Sequence, residues 1–470
     1  MMDLAALAPL ATLAGAAIVV VLAISFARGH RLAFALTLAG LAASAAWLPA
    51  VWRDAPWSST LLVVDRYALF YIGLLLATSF AVALLAFPYL ARGEEPAEEF
   101  YVLLLIATLG AAVLVTSRHF AAFFLALETL SVSLFGLLAY FRTTRRGVEA
   151  ALKYLILAGA SSAILLFGAA LVYAETGSLE LAAMTRAASG ARALVPAGLT
   201  LVLCGIGFKL AVVPFHMWTP DVYVGAPAPV TAFVATVSKG GVFALLLRAF
   251  AAEERLDATP IFAVLAAIAI ASMLAGNLLA LLQRNVKRIL AYSSIAHLGY
   301  LLVAFLAGGS AGREAATYYL VAYSATTAAA FGVVTALSSP GREAEDLADY
   351  RGLYWRRPAL AAVFTASLLS LAGIPLTAGF LAKYFVLAAG VGEALWALVL
   401  VLVAGSAVGL VYYLRIIVAM LAPASEGATM PATPRTAAFV LAVLFAAIVW
   451  FGVWPAPLQR WIAEAMAGLS

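Results

Sequence analysis

The chain has 470 residues, 65% of them hydrophobic and only 11% charged, with a formal net charge of +5. That composition excludes a soluble globular domain and predicts a polytopic membrane protein. A single cysteine, Cys204, excludes disulfide frameworks, Cys-ligated iron–sulfur clusters and structural zinc of the CxxC kind.

Windows of about 20 apolar residues predict fourteen helices, near 4–26, 32–52, 67–91, 99–117, 119–141, 149–174, 193–216, 227–249, 258–281, 286–307, 314–338, 358–386, 394–421 and 434–455. The opening run has no basic segment before it and is too long for a signal peptide, so it reads as a retained first helix. Between the second and third spans, Thr60 to Val64 reads as a short strand outside the membrane. The segments "AETGSLELAAMTRAASGAR" and "RAFAAEERLD" read as surface helix or coil. Basic residues fall in alternate loops: Arg28 and Arg31, Arg92, then Arg142, Arg145 and Arg146, then Arg284, Lys287 and Arg288, then Arg342, Arg351, Arg356 and Arg357, and Arg435. The positive-inside rule makes those loops cytoplasmic and puts both termini on the other side. After the last span, Trp454 and Trp461 suit an interfacial tail.

Two spans carry proline deep inside apolar sequence: the seventh at Pro214, and the twelfth at Pro375, flanked by Gly373 and Gly379. Interior proline frees a carbonyl and bends a helix, which a membrane tolerates only beside protein or water. Matched breaks five spans apart imply five-helix repeats, and an odd repeat inverts the second copy. The expected fold is therefore all-α, with two inverted five-helix repeats, each holding a broken helix. Its segments would be 1–98 with three helices, 99–250 and 251–421 as the repeats, and 422–470 as the last helix and tail.

The chain has only five lysines: Lys153, Lys209, Lys239, Lys287 and Lys383. Four fall inside predicted spans and one, Lys287, in the basic loop cluster at the edge of the tenth, whereas surface positive charge is carried by arginine. A guanidinium does not lose its proton in a protein, while a desolvated ammonium titrates near neutrality. A lysine at a bilayer centre costs about 2.5 to 3.5 kcal/mol, and Lys239 lies roughly 13 to 15 Å of helix from either end of its span, beyond snorkelling reach. Lys209 and Lys383 flank the two breaks. Lys153 lies close enough to the basic loop for snorkelling to explain it equally well.

Glu128 reads as a buried carboxylate with Lys209 as its partner, either a switch or a static packing pair. His297, about 15 Å into the tenth span beside Tyr292, Ser293, Ser294 and Tyr300, and His216, next to the first break, read as proton relays or as packing histidines. No spacing suggests a metal site.

The stretches "GFKLAVVPFHMWTPDVYVGAPAPVTAFVATVSK", "KRILAYSSIAHLGY", "EAALKYLILAGASSAILLFG" and "SLAGIPLTAGFLAKYF" resemble the antiporter-like proton-channel subunits of respiratory complex I, NADH-quinone oxidoreductase. The similarity runs from about residue 100 to 420. Within that family the subunit N branch fits best: Lys383 stands where subunit M carries glutamate, and the chain ends soon after the fourteenth span where subunit L continues into a lateral helix. The resemblance implies the same fourteen-helix fold and matches Glu128 and Lys209 to the family's Glu–Lys pair. Lys239 matches its central lysine, Lys383 the residue of the second broken helix, and Lys153 and His216 a motif lysine and histidine. The glycines of "SKGGVFA" depart from the alanines more usual there, and are expected to loosen the helix beside Lys239.

The function so implied is proton translocation through the buried lysines, Glu128 and the histidines, from the cytoplasmic side by way of Lys209, Lys239 and His297 to Lys383. Quinone reduction in partner subunits would drive it. No cofactor is expected in this chain; FMN, iron–sulfur clusters and quinone would belong to those partners. Other membrane subunits of complex I and the lipid bilayer are the expected partners, with no nucleic acid, in a bacterial plasma membrane. The alternatives are a subunit of a multi-subunit cation/proton antiporter of the Mrp type, and a purely structural membrane subunit.

Overall fold

A computed structural model describes residues 5–93, 95–141, 144–187, 193–251, 260–423 and 432–469. The helices in chain order are α1 (Ala8–Phe26), α2 (His30–Ala46), α3 (Leu48–Asp54), α4 (Arg66–Leu90), α5 (Glu98–Thr116), α6 (Phe120–Leu138), α7 (Arg145–Thr176), α8 (Leu181–Arg186), α9 (Leu194–Leu210) and α10 (Trp218–Gly225). They continue with α11 (Ala228–Phe233), a π-helical turn (Val234–Ser238), α12 (Lys239–Ala249), α13 (Pro260–Leu281), α14 (Val286–Ala307), α15 (Gly309–Leu337), α16 (Leu353–Arg356), α17 (Pro358–Ala372), α18 (Ala378–Gly392), α19 (Trp396–Leu421), α20 (Arg435–Val453) and α21 (Ala456–Met466).

Among the described residues, 12 helices are long and apolar enough to cross a membrane. The two remaining spans are the broken ones, α9 with α10 and α17 with α18, so the total of fourteen expected from the sequence stands. Both breaks run further than the hydropathy windows placed them: the seventh span continues to Gly225 and the twelfth to Gly392. The reason is that a proline break interrupts the apolar window without ending the chain's passage through the core. The expected first repeat takes in α5, α6, α7, α9/α10 and α11/α12, and the expected second α13, α14, α15, α17/α18 and α19. In each the fourth member is the broken one, and the odd count inverts the second copy.

Between α3 and α4 the expected strand is a short antiparallel hairpin, β1 (Trp57–Ser58) with β2 (Val63–Val64), Trp57 facing Val64. The polar segment after α7 contains α8, while residues 188–192 lie outside the described residues, as do Arg142 and residues 252–257. Trp454 and Trp461 are exposed, the first just before α21 and the second on it.

Small residues let the helices approach closely, the usual means of association where lipid removes a hydrophobic driving force. At the α7–α9 contact a Cβ on Gly168 would come within 2.5 Å of the Gly198 carbonyl oxygen. The most deeply buried helices are α11/α12, α14 and α15, with 100, 94 and 89% of their apolar windows inside the protein. These three form the centre, and they carry the polar groups described next.

Candidate functional site

At the first break α9 ends in a left-handed residue, Ala211 (φ 61°), whose N–H bonds back to the Gly207 and Phe208 carbonyls. The backbone groups freed by the break are met by neighbours: Ser272 Oγ accepts from Val213 N–H at 2.9 Å, and Trp218 Nε1 donates to the Phe208 carbonyl at 3.0 Å. Lys209 sits in the last turn of α9, 5% exposed, where the negative end of the helix favours a cation. Its Nζ donates to Ser131 Oγ at 2.6 Å, and the Tyr154 and Phe208 rings lie 5.4 and 5.6 Å away. Glu128, one turn before Ser131 on α6, is half-buried and accepts from Ser162 Oγ at 2.6 Å. Lys209 and Glu128 therefore form no direct ion pair among the described residues; each is held by a serine.

Lys239, 1% exposed, opens α12 directly after the π-helical turn. The expected loosening of this helix is thus found, but one turn before the glycines. Gly241 has a different use: a Cβ there would come within 3.2 Å of the Ala111 carbonyl oxygen, so its smallness serves packing against α5. Lys239 Nζ donates to Ser294 Oγ at 2.6 Å, and its ammonium lies 5.5 Å from the Tyr223 ring. Ser294 also accepts from the Tyr323 hydroxyl at 2.7 Å, with the Tyr223 hydroxyl 3.4 Å away.

One turn along α14, buried His297 has a hydroxyl at each ring nitrogen: Tyr319 at Nδ1 (2.6 Å) and Tyr413 at Nε2 (3.2 Å). Tyr413 is in turn hydrogen-bonded to Ser293. A further turn along, the Tyr300 ring lies 5.2 Å from the Lys383 ammonium. Tyr300 is held by Asn277 Nδ2, which donates to its hydroxyl at 2.8 Å, and Tyr412 donates to Asn277 Oδ1 at 3.0 Å.

Lys383, 7% exposed, lies just past the second break. Its Nζ reaches back across the break to the Ala372 carbonyl (2.8 Å), the last residue of α17, and to Ser406 Oγ (2.5 Å). The break itself is shaped by two glycines. Gly373 caps α17 at φ 86°, and a Cβ there would meet Lys383 Cδ at 2.8 Å; a Cβ on Gly379 would meet the Ser370 carbonyl oxygen at 1.9 Å.

Ser294, His297 and Tyr300 follow each other at three-residue spacing, so they share one face of α14 over about 9 Å. The contacts of both central lysines and the central histidine are thereby brought onto one helix. Two expected residues lie elsewhere. Lys153 has 43% of its side chain exposed and pairs with Glu149 (2.9 Å) and Asp221 (2.8 Å), the latter shared with Arg288 (2.6 Å). His216 is half-buried beside the first break with no hydrogen-bond partner for Nδ1 among the described residues. The division of lysine to the membrane and arginine to loops also needs correcting: Lys287 is the second residue of α14 and is 0% exposed, because the loop after α15 folds over it, while Lys153 is the open one.

The sequence pointed to Ser294 and Tyr300 beside His297 but passed over Ser131, Ser162, Tyr319, Tyr323, Tyr413 and Ser406. A hydroxyl in a membrane helix commonly bonds its own backbone carbonyl four residues back. Its type and spacing alone therefore carry no signal; the weak one present was the density of tyrosine in "TYYLVAYSATT" and "LVYYLRI".

Residues 117–409 match the family described as NADH:quinone oxidoreductase/Mrp antiporter, TM. A relative from Methylococcus capsulatus described as NADH-quinone oxidoreductase subunit N is 50% identical over 464 residues, covering 97% of this chain and 94% of its own. A chain of the solved respiratory complex I from Thermus thermophilus with bound Aureothin is 34% identical and superposes with a TM-score of 0.85 over 97% of this chain and 99% of its own. A chain of the Mrp complex from Dietzia sp. DQ12-45-1b shares the fold, with a TM-score of 0.89 over 100% of this chain and 98% of its own at 23% identity.

Proposed function

Since the chain belongs to the NADH:quinone oxidoreductase/Mrp antiporter membrane family, we propose that it is the proton-translocating subunit N of an NADH-quinone oxidoreductase. The observation that carries this reading is the face of α14, where Ser294 meets Lys239, His297 stands between two tyrosine hydroxyls, and the Tyr300 ring meets Lys383. Lysine suits the task where arginine would not, because a desolvated ammonium gives up its proton and takes it back. Lys239 exchanges with the Ser294 hydroxyl, which Tyr323 and Tyr223 also approach. His297 as a neutral ring donates from one nitrogen and accepts at the other, so adding a proton at one and losing it from the other moves charge across the ring. Two charges at the ends of the α14 face, about 9 Å apart, repel by about 2 kcal/mol at an effective dielectric near 20. A proton arriving at one end therefore pushes on the other.

In this reading protons come from the arginine-rich, cytoplasmic face through the first repeat by way of Lys209 and Glu128 and leave beyond Lys383. Lys153 and His216 serve the approach to the first break. The segments 1–98, 99–250, 251–421 and 422–470 are the unit boundaries, both termini face the non-cytoplasmic side, and the membrane is the bacterial plasma membrane. Energy comes from quinone reduction in partner subunits that hold FMN, iron–sulfur clusters and quinone, and other membrane subunits of the complex flank this chain. The 50% identity to a subunit N relative favours this over transport in an Mrp-type antiporter, for which the fold alone speaks.

The test is His297→Leu in the assembled complex. Quinone reduction continues while proton pumping per electron falls; unchanged pumping would remove His297 from the path. Sodium-dependent transport with no NADH or quinone dependence would instead select the Mrp reading.

A further inference from the structure

Lys287, the second residue of α14, is buried yet lies outside the path from Lys209 to Lys383. As an ammonium it uses all three donors. Nζ reaches the Ala226 carbonyl (2.7 Å) and the Val224 carbonyl (3.2 Å) at the end of α10, and Glu343 Oε2 (3.1 Å) on the loop between α15 and α17. Glu343 takes a second hydrogen bond from the Tyr89 hydroxyl of α4. Two residues on, Glu345 accepts from Asn285 Nδ2 (3.0 Å) and from Arg146 (3.4 Å), whose own side chain is open to solvent. Burial pushes the Glu345 carboxyl up from its ordinary range, helped by the neighbouring Glu343 and opposed by Lys287 and Arg146. Tyr350, packed here beside Asp349, donates to the Ala344 carbonyl at 2.9 Å, and Asp346 bridges Asn285 through the backbone.

A buried ammonium–carboxylate pair costs desolvation that an apolar pair avoids, so its position has to be accounted for. Lys287 precedes Ser294 by seven residues, two turns, and so lies on the same face of α14 about 10 Å away. The polar face that carries Ser294, His297 and Tyr300 thus runs on to the arginine-rich end of the helix. Val224, one of the carbonyls that Lys287 holds, follows Tyr223, whose hydroxyl is 3.4 Å from Ser294 Oγ.

We propose that Glu345, Glu343 and Lys287 form a second proton-uptake station, which loads Lys239 from the arginine-rich face without passing through Lys209. It rests on the proton-carrying reading of this chain. One proton moves at each hop, with no electron transferred: from solvent to the Glu345 carboxylate, to the Glu343 carboxylate, to the Lys287 amine, and over the Tyr223 and Ser294 hydroxyls to the Lys239 amine.

The experiment compares Glu343→Gln, Glu343→Asp and His297→Leu in the assembled complex in proteoliposomes, reading protons pumped per electron. Gln keeps the size and accepts from Lys287 through its one amide oxygen, its NH2 turning to donate to the Tyr89 oxygen, but holds no exchangeable carboxyl; Asp keeps the carboxyl and loses reach. Pumping is expected to fall in Glu343→Gln, by less than in His297→Leu because uptake by way of Lys209 remains, with quinone reduction retained, while Glu343→Asp keeps most of it. Normal pumping in Glu343→Gln, or equal loss in Gln and Asp, overturns the station, the second outcome marking a structural clamp. Loss in His297→Leu with none in Glu343→Gln sinks the station alone, whereas normal pumping in both sinks the proton-carrying reading as well. If Glu343→Gln fails to assemble, Lys287→Met with Glu343→Leu removes both charges at similar volume and is read the same way.

Discussion

The two broken helices hold a lysine at the same electrostatic place and reach it from opposite sides. Lys209 belongs to the last turn of the half-helix α9, whereas Lys383 comes from the far half, α18, and reaches back to the Ala372 carbonyl that ends α17. Lys383 Nζ therefore meets the carbonyl end of α17, which favours a cation without any full negative charge, whereas Lys209 belongs to the corresponding end of α9 and turns its Nζ to Ser131. The surroundings differ. Lys209 has a carboxylate nearby, Glu128, with Ser131 and Ser162 each holding one of the two; among the described residues Lys383 has only the neutral oxygens of Ala372 and Ser406 and the Tyr300 face. The backbone differs to match. The left-handed cap is Ala211 at the first break and Gly373 at the second, because the Lys383 side chain lies where a second Cβ would go.

That contrast breaks most sharply at Gly379. Its Cβ would run into the Ser370 backbone, so Gly379→Ala forces the halves of the second break apart and costs about 3 kcal/mol or more, read as lower thermal stability and poor assembly. Next are the serines. Ser406→Ala strips Lys383 of one of two oxygen partners and costs about 2 kcal/mol, the value of a hydrogen bond to a charged group, and it lowers pumping. Ser131→Ala has the smaller effect on pumping, because Glu128 remains to receive Lys209; equal effects would erase the distinction between the breaks. Gly373→Ala places a side chain in a left-handed conformation, costing about 1 to 2 kcal/mol, and displaces Lys383 besides. Smallest is the reverse change, Ala211→Gly. It relieves the same strain at the first break and shifts stability upward by under about 1 kcal/mol, with pumping unchanged.

Much of this was legible in the sequence, for identifiable reasons. Fourteen spans follow from hydropathy, and the two breaks follow from Pro214 and Pro375, since proline and apolar length act locally. Lys239 was legible because nothing but a function or a partner holds a charge so far from either helix end. What was not legible depended on contacts distant in sequence. The loop that brings Glu343 onto Lys287 lies 56 residues away, so Lys287 read as a loop residue. Asp221, 68 residues on, takes Lys153 to the surface, and the serine that holds Lys209 is 78 residues from it. Tyr413 reaches His297 over 116 residues. Periodicity within one helix cannot place such partners, since every membrane helix offers several hydroxyls at similar spacing.

The central claim is that the lysine at the heart of the protein carries the proton. Lys239→Ala in the assembled complex, measured as protons pumped per electron in sealed proteoliposomes, tests it most directly. The account predicts that quinone reduction persists while the pumping carried by this chain is lost. Pumping per electron equal to that of the unmodified complex would contradict it.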